Sequence, residues 1–520
     1  MRWYHYLILG LLGLIISFSV SAFQSSPGYM DADYYYSSGK QLAEGHGFNE
    51  MILWNYLDNP AGLPHPSHAY WMPMASIVAA AGMWLTNSIS FSSGRLFFFC
   101  MAAVIPPLTA YLGLSITNRF AYALTAGFLA IFSGYYFPYS SITDTFSIYM
   151  LLGIGFLLVL GYGMKNQGRT SRSVAATGLG VIAGLAHLSR ADGILWLVVA
   201  SVAVLMLEIP SKKRYLFPLS LVFCGYLLVM GSWFLRNILV FATPLAPGGN
   251  HALWLTSYDE IYSFPAGKLT YNFWLESGNI DILSKRFDAL IWNLKTAWAV
   301  QGLVFLLPFV VLGLWLYRHD LRIRIGIISW AGTFLLMTFI FPFAGSRGGF
   351  FHSGAALQPL WWVMAPVGIE KAVIWVETKR KWRKGEASKV FTVGSVVICI
   401  MISGLIFAQK VLLSPGWGYE AERYKKIESL IGISDPSKKD VVVVGNPPGY
   451  FNVSSRPSIA VPNESLDVLM VVAAKFGARY LILEDDGTPA PLREVFTNPE
   501  AYPILHYLGD IDGAKIFALP

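Results

Sequence analysis

The chain begins with an apolar stretch that is soon followed by an acidic and aromatic one. Residues 7–23 read LILGLLGLIISFSVSAF, and residues 30–36 read MDADYYY. The first stretch is long enough to cross a bilayer, because a membrane-spanning helix needs about 20 mostly apolar residues. Asp31 and Asp33 therefore lie where the chain leaves the membrane. Carboxyl groups there are costly unless they are solvated, paired or bound to a partner, so both are functional candidates. The alternative interpretation is the solvated start of an acidic loop.

The composition predicts a polytopic α-helical membrane protein. Of 520 residues, 55% are apolar and only 13% are charged, and the mean hydropathy is +0.50. Soluble domains carry roughly a quarter of charged residues, and this chain has repeated apolar runs of roughly 17 to 25 residues. Cys100, Cys224 and Cys399 lie in such runs, with no spacing typical of disulfides or zinc. The net charge of +7 is concentrated in short loops, which indicates topology and not nucleic-acid binding.

Four short basic loops set the predicted topology, because positive residues near span ends stay in the cytoplasm. These loops contain Lys165–Arg172, Lys212–Arg214, Arg318–Arg324 and Lys379–Lys384. Successive loops are separated by an even number of apolar runs, as a common cytoplasmic side requires. We predict about eleven spans, near residues 7–23, 95–116, 120–137, 146–163, 174–188, 193–209, 216–236, 299–317, 325–343, 354–376 and 391–411.

The same parity assigns the remaining segments to the outer side. The long loop 24–93 is predicted to be outside, together with Asp144 after the third span. The apolar stretch Trp71–Leu85 contains Pro73, and a span there would invert every later loop. We therefore expect a helix that lies along the outer interface.

Two domains are expected. Residues 1–412 form the transmembrane domain, which includes the outer loops 24–93 and 237–297. Residues 415–520 are predicted to form a small α/β domain on the outer side, with strands at Val441–Val444, Tyr480–Leu483 and Lys515–Leu519 and an amphipathic helix over Glu464–Phe476. The turn Gly445-Asn446-Pro447-Pro448-Gly449 follows a strand, but it lacks the glycine pattern of a phosphate-binding loop.

Polar residues of several types are predicted on the outer side, which suits an anionic substrate. Simpler interpretations stand beside this one. Arg190 and Asp192 could pair across a tight turn, and Arg236 could anchor a span end at the interface. His65 and His68 have a helical ligand spacing, but Pro66 between them disfavours a metal site.

The order of these features resembles the membrane glycosyltransferase superfamily with the C-type fold. That superfamily includes protein O-mannosyltransferases, aminoarabinose lipid A transferases and oligosaccharyltransferases. Its members have a first outer loop that opens with Asp followed by tyrosines, interfacial helices in that loop, and a second acid after the third span. The corresponding residues are Asp31 and Asp33 with Tyr34–Tyr36, the helix from Trp71, Thr143-Asp144-Thr145 and Leu235-Arg236-Asn237.

The resemblance implies an enzyme that moves a sugar, with inversion, from a polyprenyl-phosphate donor to a lipid, glycan or protein acceptor outside the cytoplasmic membrane. One carboxylate acts as general base, while arginine and histidine stabilise the departing phosphate. We predict Asp31 as the base, with Asp33 as its rival and Asp144 as the second acid. The predicted phosphate ligands are Arg190, Arg236, Arg347 and His352. The predicted sugar or acceptor contacts are Tyr34, His65, His68, Tyr70 and His251.

Other properties stay open at this point. A divalent metal at Asp31, Asp33 and Asp144 is compatible with the resemblance, but no cofactor is certain. The C-terminal segment lacks a Trp-Trp-Asp motif, which disfavours sequon glycosylation. The alternative function is a polytopic transporter or a flippase for lipid-linked sugars, although such a protein should show internal repeats and polar groups at mid-membrane.

Overall fold

The computed structural model describes residues 1–166, 168–208, 216–380 and 386–520. The predicted basic residues that lie outside the described residues are Lys212, Lys213, Arg214, Lys381, Arg383 and Lys384. The described chain forms two compact units. Unit 1 contains residues 1–23, 96–239 and 286–413, and unit 2 contains residues 24–95, 240–285 and 414–520.

The helices confirm a polytopic membrane protein. In the described part of the chain, seven are long and apolar enough to cross a membrane: Trp3–Ser21, Phe91–Thr117, Phe146–Lys165, Ala191–Glu208, Leu216–Phe241, Leu321–Ile340 and Glu386–Leu412. The other four predicted spans coincide with Phe120–Ile131, Arg169–Ser189, Leu307–Leu316 and Gln358–Arg380. The count of eleven stays a prediction.

Two of those four helices are shorter than predicted, and local sequence explains the difference. Phe120–Ile131 has 12 residues, which is only about 18 Å of helix against roughly 30 Å of hydrocarbon. The chain continues as a 3₁₀ turn, Gly134–Tyr139, where Gly134 adopts a φ of 63° and Pro138 donates no hydrogen bond. Leu307–Leu316 has 10 residues and follows a π-helical turn at Thr296–Gln301.

Glycines let two helices of unit 1 approach closely. Gly313 on Leu307–Leu316 lies against the main chain of Met364, and Gly368 on Gln358–Arg380 lies against the main chain of Phe309. A Cβ at either glycine would collide with the facing backbone. Small residues at such contacts are typical of helix packing in membranes, where close van der Waals contact replaces hydrophobic driving force.

Unit 2 contains a six-stranded mixed sheet. In chain order the strands of the unit are β1 (Asn49–Glu50), β2 (Ile52–Leu53), β3 (His65–Pro66), β4 (Val441–Val444), β5 (Ser458–Ala460), β6 (Ala478–Glu484), β7 (His506–Ile511) and β8 (Ala514–Ala518). The sheet order is β2-β5-β4-β6-β8-β7, and β1 pairs separately with β3. The strands β2, β5, β4 and β6 are parallel to one another. The strand β8 pairs antiparallel with β6, and β7 pairs antiparallel with β8.

Helices cover both faces of this sheet, which is why β4 consists of four buried valines. Val441 and Val443 pack in the cluster that contains the helix Leu466–Phe476. Val442 and Val444 pack in the opposite cluster, with the helix Tyr419–Ser434. Strands are present at all three predicted positions, and β5 and β7 are additional.

The first loop supplies β2 to this sheet. Ile52 and Leu53 pair in parallel with Ser458 and Ile459, and the Tyr56 hydroxyl donates to the Ala460 carbonyl at 2.5 Å. The chain re-enters unit 2 at Ser414, next to the predicted boundary at 412/415. Unit 2 also contains residues 24–95 and 240–285, which correspond to most of the two predicted outer loops.

The first loop also contains two helices of more than ten residues. Met30–Ala43 begins with the acidic stretch, and Met74–Thr86 occupies the predicted interfacial stretch. With 13 residues the second helix is about 20 Å long, too short to cross a bilayer. Its placement along the membrane surface stays a prediction.

Candidate active site

Asp31 and Asp33 lie in the first turn of the helix Met30–Ala43, which we call the Asp31 helix. Carboxyl groups are favoured there, because the helix dipole is positive at its N-terminus. Residues two apart on a helix project about 200° apart, so the two side chains face different surroundings. Asp31 is partly buried, whereas Asp33 is only 6% exposed.

Amide groups from the C-terminal segment surround Asp33. Asn446 Nδ2 donates to Asp33 Oδ2 at 3.2 Å. Asn452 Nδ2 donates to Asp33 Oδ1 and to the Asp33 main-chain carbonyl, both at 3.0 Å. Burial, with a smaller contribution from the negative charge of Glu420, raises the pKa of Asp33 to about 8. At neutral pH this carboxyl therefore favours its protonated form, which is a poor general base.

Two predicted sugar contacts, Tyr34 and His68, are internal. Tyr34 is 1% exposed, and its hydroxyl accepts a hydrogen bond from the His68 main-chain amide at 2.8 Å. His68 is fully buried, with Nδ1 2.8 Å from Ser67 Oγ and Nε2 3.1 Å from Ser76 Oγ. These contacts fix the first loop, and sugar or acceptor binding by Tyr34 and His68 stays a prediction.

The other three predicted sugar contacts also lie in unit 2. His65 Nε2 is 2.7 Å from Asp58 Oδ2. His251 lies in the short helix Gly248–Ala252, and burial lowers its pKa against the opposing effect of Asp58. Tyr70 packs edge-to-face on Trp54. Sugar or acceptor binding by this set stays a prediction.

In unit 1, Asp144 and His352 form a buried pair. Asp144 is 1% exposed, and its Oδ1 accepts from the Thr145 main-chain amide at 2.5 Å. His352 Nδ1 lies 3.5 Å from the same Asp144 oxygen. Its ring stacks on Phe146 at 4.1 Å, which fixes the imidazole plane. Thr145 Oγ1 also lies 3.4 Å from His352 Nδ1, so positions 207 apart in the sequence meet where the helix Phe146–Lys165 begins.

Arg190 is committed to contacts within unit 1. Its Nε donates to Asp192 Oδ1 at 2.9 Å, as the simpler interpretation of the turn expects. Its Nη2 lies 3.5 Å from the Gly349 carbonyl. The Ser353 hydroxyl donates to Asp192 Oδ2 at 2.5 Å. The segment that carries His352 is therefore bound at Gly349 and Ser353 to the Arg190 turn.

Arg236 and Arg347 differ from Arg190 in their surroundings. Arg236 Nη1 donates to Asn237 Oδ1 at 3.1 Å, and its guanidinium lies over Trp233. Arg347 is exposed, and it precedes Gly348, which has a φ of 111°. Only glycine adopts that conformation readily, so the sequence Arg347-Gly348 breaks the helix and presents the guanidinium on a turn. Phosphate binding by Arg190, Arg236, Arg347 and His352 stays a prediction.

The Asp144–His352 pair has the chemistry of a divalent-cation site. A carboxylate oxygen and an imidazole nitrogen are both ligands of zinc and of other divalent transition metals. Their separation of 3.5 Å allows one ion to contact both. The imidazole N–H of His352 is also able to donate a hydrogen bond to a phosphate oxygen.

Several residues in these sites had weak or no sequence signals. Thr145 and Ser353 are polar neighbours of predicted residues, but their partners follow only from the fold. Asn446 had one local signal: an Asn before Pro447 is typical of a helix N-cap. Its Oδ1 indeed accepts from the Gly449 amide at 3.0 Å. Nothing in the sequence indicated that its amide nitrogen would contact Asp33.

Comparison with known proteins identifies the fold. No protein-family model and no curated protein sequence matches the chain. ArnT from Cupriavidus metallidurans bound to undecaprenyl phosphate is similar with a TM-score of 0.59 and 10% identity, over 99% of this chain and 98% of ArnT. The Archaeoglobus fulgidus oligosaccharyltransferase in complex with Zn and sulfate has a TM-score of 0.57 and 11% identity, over 98% of this chain and 74% of that enzyme.

A third structure, AglB from Archaeoglobus fulgidus in complex with an inhibitory peptide and a dolichol-phosphate, has a TM-score of 0.51 and 11% identity. The match covers 100% of this chain and 75% of AglB. These are membrane glycosyltransferases with the C-type fold. The chain has that fold, so the fold predicted from the resemblance is confirmed.

Proposed function

We propose that this protein is an inverting membrane glycosyltransferase. It moves a sugar from a polyprenyl-phosphate-linked donor to an acceptor on the outer face of the membrane. Asp31 is the general base. The observation that carries this proposal is the contrast within the Asp31 helix: Asp33 is buried under three amide hydrogen bonds, whereas Asp31 is partly exposed in the same turn.

The proposed reaction is a single displacement. An acceptor hydroxyl oxygen attacks the anomeric carbon while the bond between that carbon and the phosphate oxygen breaks. The acceptor proton passes to the Asp31 carboxylate, and polyprenyl phosphate leaves with the bonding electron pair. Attack opposite the leaving group inverts the anomeric centre. An aspartate aligned with the nucleophile serves this role, and such a base typically contributes on the order of 10²–10⁴ in rate.

The departing phosphate needs compensation of its negative charge. We assign this to Arg347 and His352, which lie on one turn and the short helix that follows it. A guanidinium can engage two phosphate oxygens at once. Arg190 acts indirectly, because its contacts with Asp192 and Gly349 hold the segment on which Arg347 and His352 lie.

The similar structures support the donor class. ArnT is bound to undecaprenyl phosphate in one of them, and AglB is in complex with a dolichol-phosphate in another. Both are polyprenyl phosphates, which agrees with a lipid-phosphate donor here.

The direct test uses purified protein in lipid nanodiscs with a panel of polyprenyl-phosphate sugars. We expect acceptor-dependent release of polyprenyl phosphate with at least one donor, and its loss in Asp31→Asn. If every donor stays intact while the same lipids cross reconstituted vesicle membranes, the flippase alternative is correct. If Asp31→Asn retains full turnover, the assignment of the base is wrong.

A second test concerns the metal. When bound, a divalent cation would be held by Asp144 and His352 and would add positive charge near the phosphate. Metal content of the purified protein, measured by mass spectrometry, should fall in both Asp144→Asn and His352→Ala, with His187→Ala as a control outside this pair. Equal metal content in all four proteins would exclude these ligands.

A further inference from the structure

The turn Asn446–Asn452 forms a cradle around Asp33. Asn446 uses both ends of its side chain: Oδ1 caps the helix Pro447–Ser454, and Nδ2 donates to Asp33. Asn452, on the same helix, donates to the carboxyl and to the main-chain carbonyl of Asp33. The cradle therefore contacts both the side chain and the backbone of the Asp31 helix.

Gly449 is required for this close approach. A Cβ at position 449 would lie 2.5 Å from Asn446 Nδ2 and 3.1 Å from Asp33 Oδ2. The first distance is shorter than any normal contact, so any larger side chain would push Asn446 and Asp33 apart. Pro447 and Pro448 stand in the first helical turn, where proline fits without loss of a hydrogen bond. The segment Gly445-Asn446-Pro447-Pro448-Gly449, which lacks the glycine pattern of a phosphate-binding loop, thus holds Asp33.

The cradle is anchored in the sheet. Asn446 follows β4 after one residue, and Ser458 Oγ of β5 donates to the Pro447 carbonyl at 2.8 Å. The helix Pro447–Ser454 joins these two buried strands, so its position is fixed by the core of unit 2. Rigid strands are better supports for a site than loops are.

We propose that Asn446 and Asn452 are positioning residues that set the first turn of the Asp31 helix, and with it the Asp31 carboxyl, from the C-terminal sheet. The catalytic part of this inference rests on the proposed function. The C-terminal segment thereby becomes part of the catalytic apparatus without touching the substrate. Misplacement of a reacting group by about 1 Å can cost on the order of 100-fold in rate.

A donor–acceptor exchange tests the cradle. Asp33→Asn places two amide nitrogens opposite each other, and Asn446→Asp places two carboxyls there. The double variant restores one donor and one acceptor, and aspartate still caps the helix. We expect each single variant to lower kcat roughly 10-fold with donor KM changed less than two-fold, and the double variant to recover most of the loss. Asn463→Ala is the control, because the main-chain amide of Asn463 donates to the Tyr262 carbonyl at 3.1 Å and this bond does not need the side chain.

Hydrogen exchange gives a readout that does not depend on activity. Amides of residues 30–43 should exchange faster in both single variants and in Gly449→Ala, which keeps every polar group of the cradle, and should return towards wild type in the double variant. If wild type transfers no sugar but exchange follows this pattern, the proposed function fails and the cradle stands. If wild type is active and the single variants match Asn463→Ala in kcat and exchange, the positioning role is overturned.

Discussion

Asp33 in unit 2 and Asp192 in unit 1 are both poorly exposed carboxyls in the first turn of a helix, but the protein holds them differently. Asp192 receives the guanidinium of Arg190 and the hydroxyl of Ser353. Asp33 receives two neutral amides, and Glu420 adds repulsion. A guanidinium supplies opposite charge to a buried carboxylate. Burial raises the pKa of Asp33, the two amide hydrogen bonds offset this only in part, and Asp33 therefore tends to take up a proton.

Asp33 and Arg190 each have a more exposed residue of the same type in the same unit. Asp31 stands two residues from Asp33, and Arg347 lies on the segment that Arg190 holds. In both units one polar group is engaged in fixing the backbone while a second of the same type is presented nearby. This contrast separates groups that support the site from groups that we expect to act in it.

The largest effect should separate the two aspartates. Asp31→Asn should lower turnover on the order of 10²–10⁴-fold, because an amide cannot accept the acceptor's proton. Asp33→Asn should cost no more than roughly 10-fold, since its effect is exerted through position. Both are measured as release of polyprenyl phosphate. The opposite ranking would reverse the roles of the two carboxyls.

The Arg190–Asp192 pair should be the next most sensitive. Arg190→Ala leaves Asp192 without its cation, and removal of one partner of a buried pair costs roughly 3 kcal/mol or more. Arg236→Ala is the comparison variant, because the Arg236 guanidinium donates to the neutral side-chain oxygen of Asn237. Thermal unfolding in detergent compares the two. A larger loss for Arg236→Ala would contradict a structural role for Arg190.

The next prediction concerns Arg347, which is exposed, in contrast to Arg190. Arg347→Lys keeps the charge but loses the planar fork, so we expect donor KM to rise roughly 10-fold and nearly as far as in Arg347→Ala. Stability should change little, because the side chain is exposed. A lysine variant with wild-type kinetics would indicate that Arg347 only anchors the chain at the membrane surface.

The smallest expected effect is the contribution of Asp33 to the pH dependence of stability. The pKa of Asp33 is about 8 in the folded protein, above its ordinary value of 3.8, so the folded state binds the additional proton. Its contribution to stability is therefore present below about pH 4 and is lost as pH rises towards 8. The polar groups around it include Glu420, Tyr36, Asn446 and Asn452, and Lys425 and Glu422 line the same cavity. Melting temperature should fall less steeply across this window in Asp33→Asn than in wild type; parallel curves would refute the assignment.

The helical fold could be predicted because bilayer thickness imposes a length on apolar runs. All eleven predicted positions hold a helix, yet two are short, since Gly134 with Pro138 and a π-helical turn at Thr296–Gln301 interrupt them. The apolar character of a run of about 17 residues does not show where a helix inside it is interrupted. The strands β4, β6 and β8 were also found, because buried valines and alternating residues give a local pattern.

The site was only partly accessible to sequence analysis. Acids and arginines near span ends were recognisable as unusual, but burial and partners decide their roles. Tyr34 and His68 have the residue types of a sugar site and are internal. Asparagine is common on protein surfaces, yet Asn446 is buried, and both Asn446 and Asn452 contact Asp33 across more than 400 positions of chain. Such long-range pairs leave no mark on local sequence.

The strand β2 has a consequence for synthesis of the chain. Tyr56 and Ala460, which are hydrogen-bonded beside β2 and β5, are 404 residues apart. Ribosomes add about 5–20 residues per second, so the first loop waits roughly 20 to 80 s for its sheet partners. During that interval the edge formed by Ile52 and Leu53 is unpaired, and exposed strand edges are prone to wrong pairing. The loop that carries Asp31 is thus among the first parts made, and its strand β2 can pair only after β5 has been synthesised.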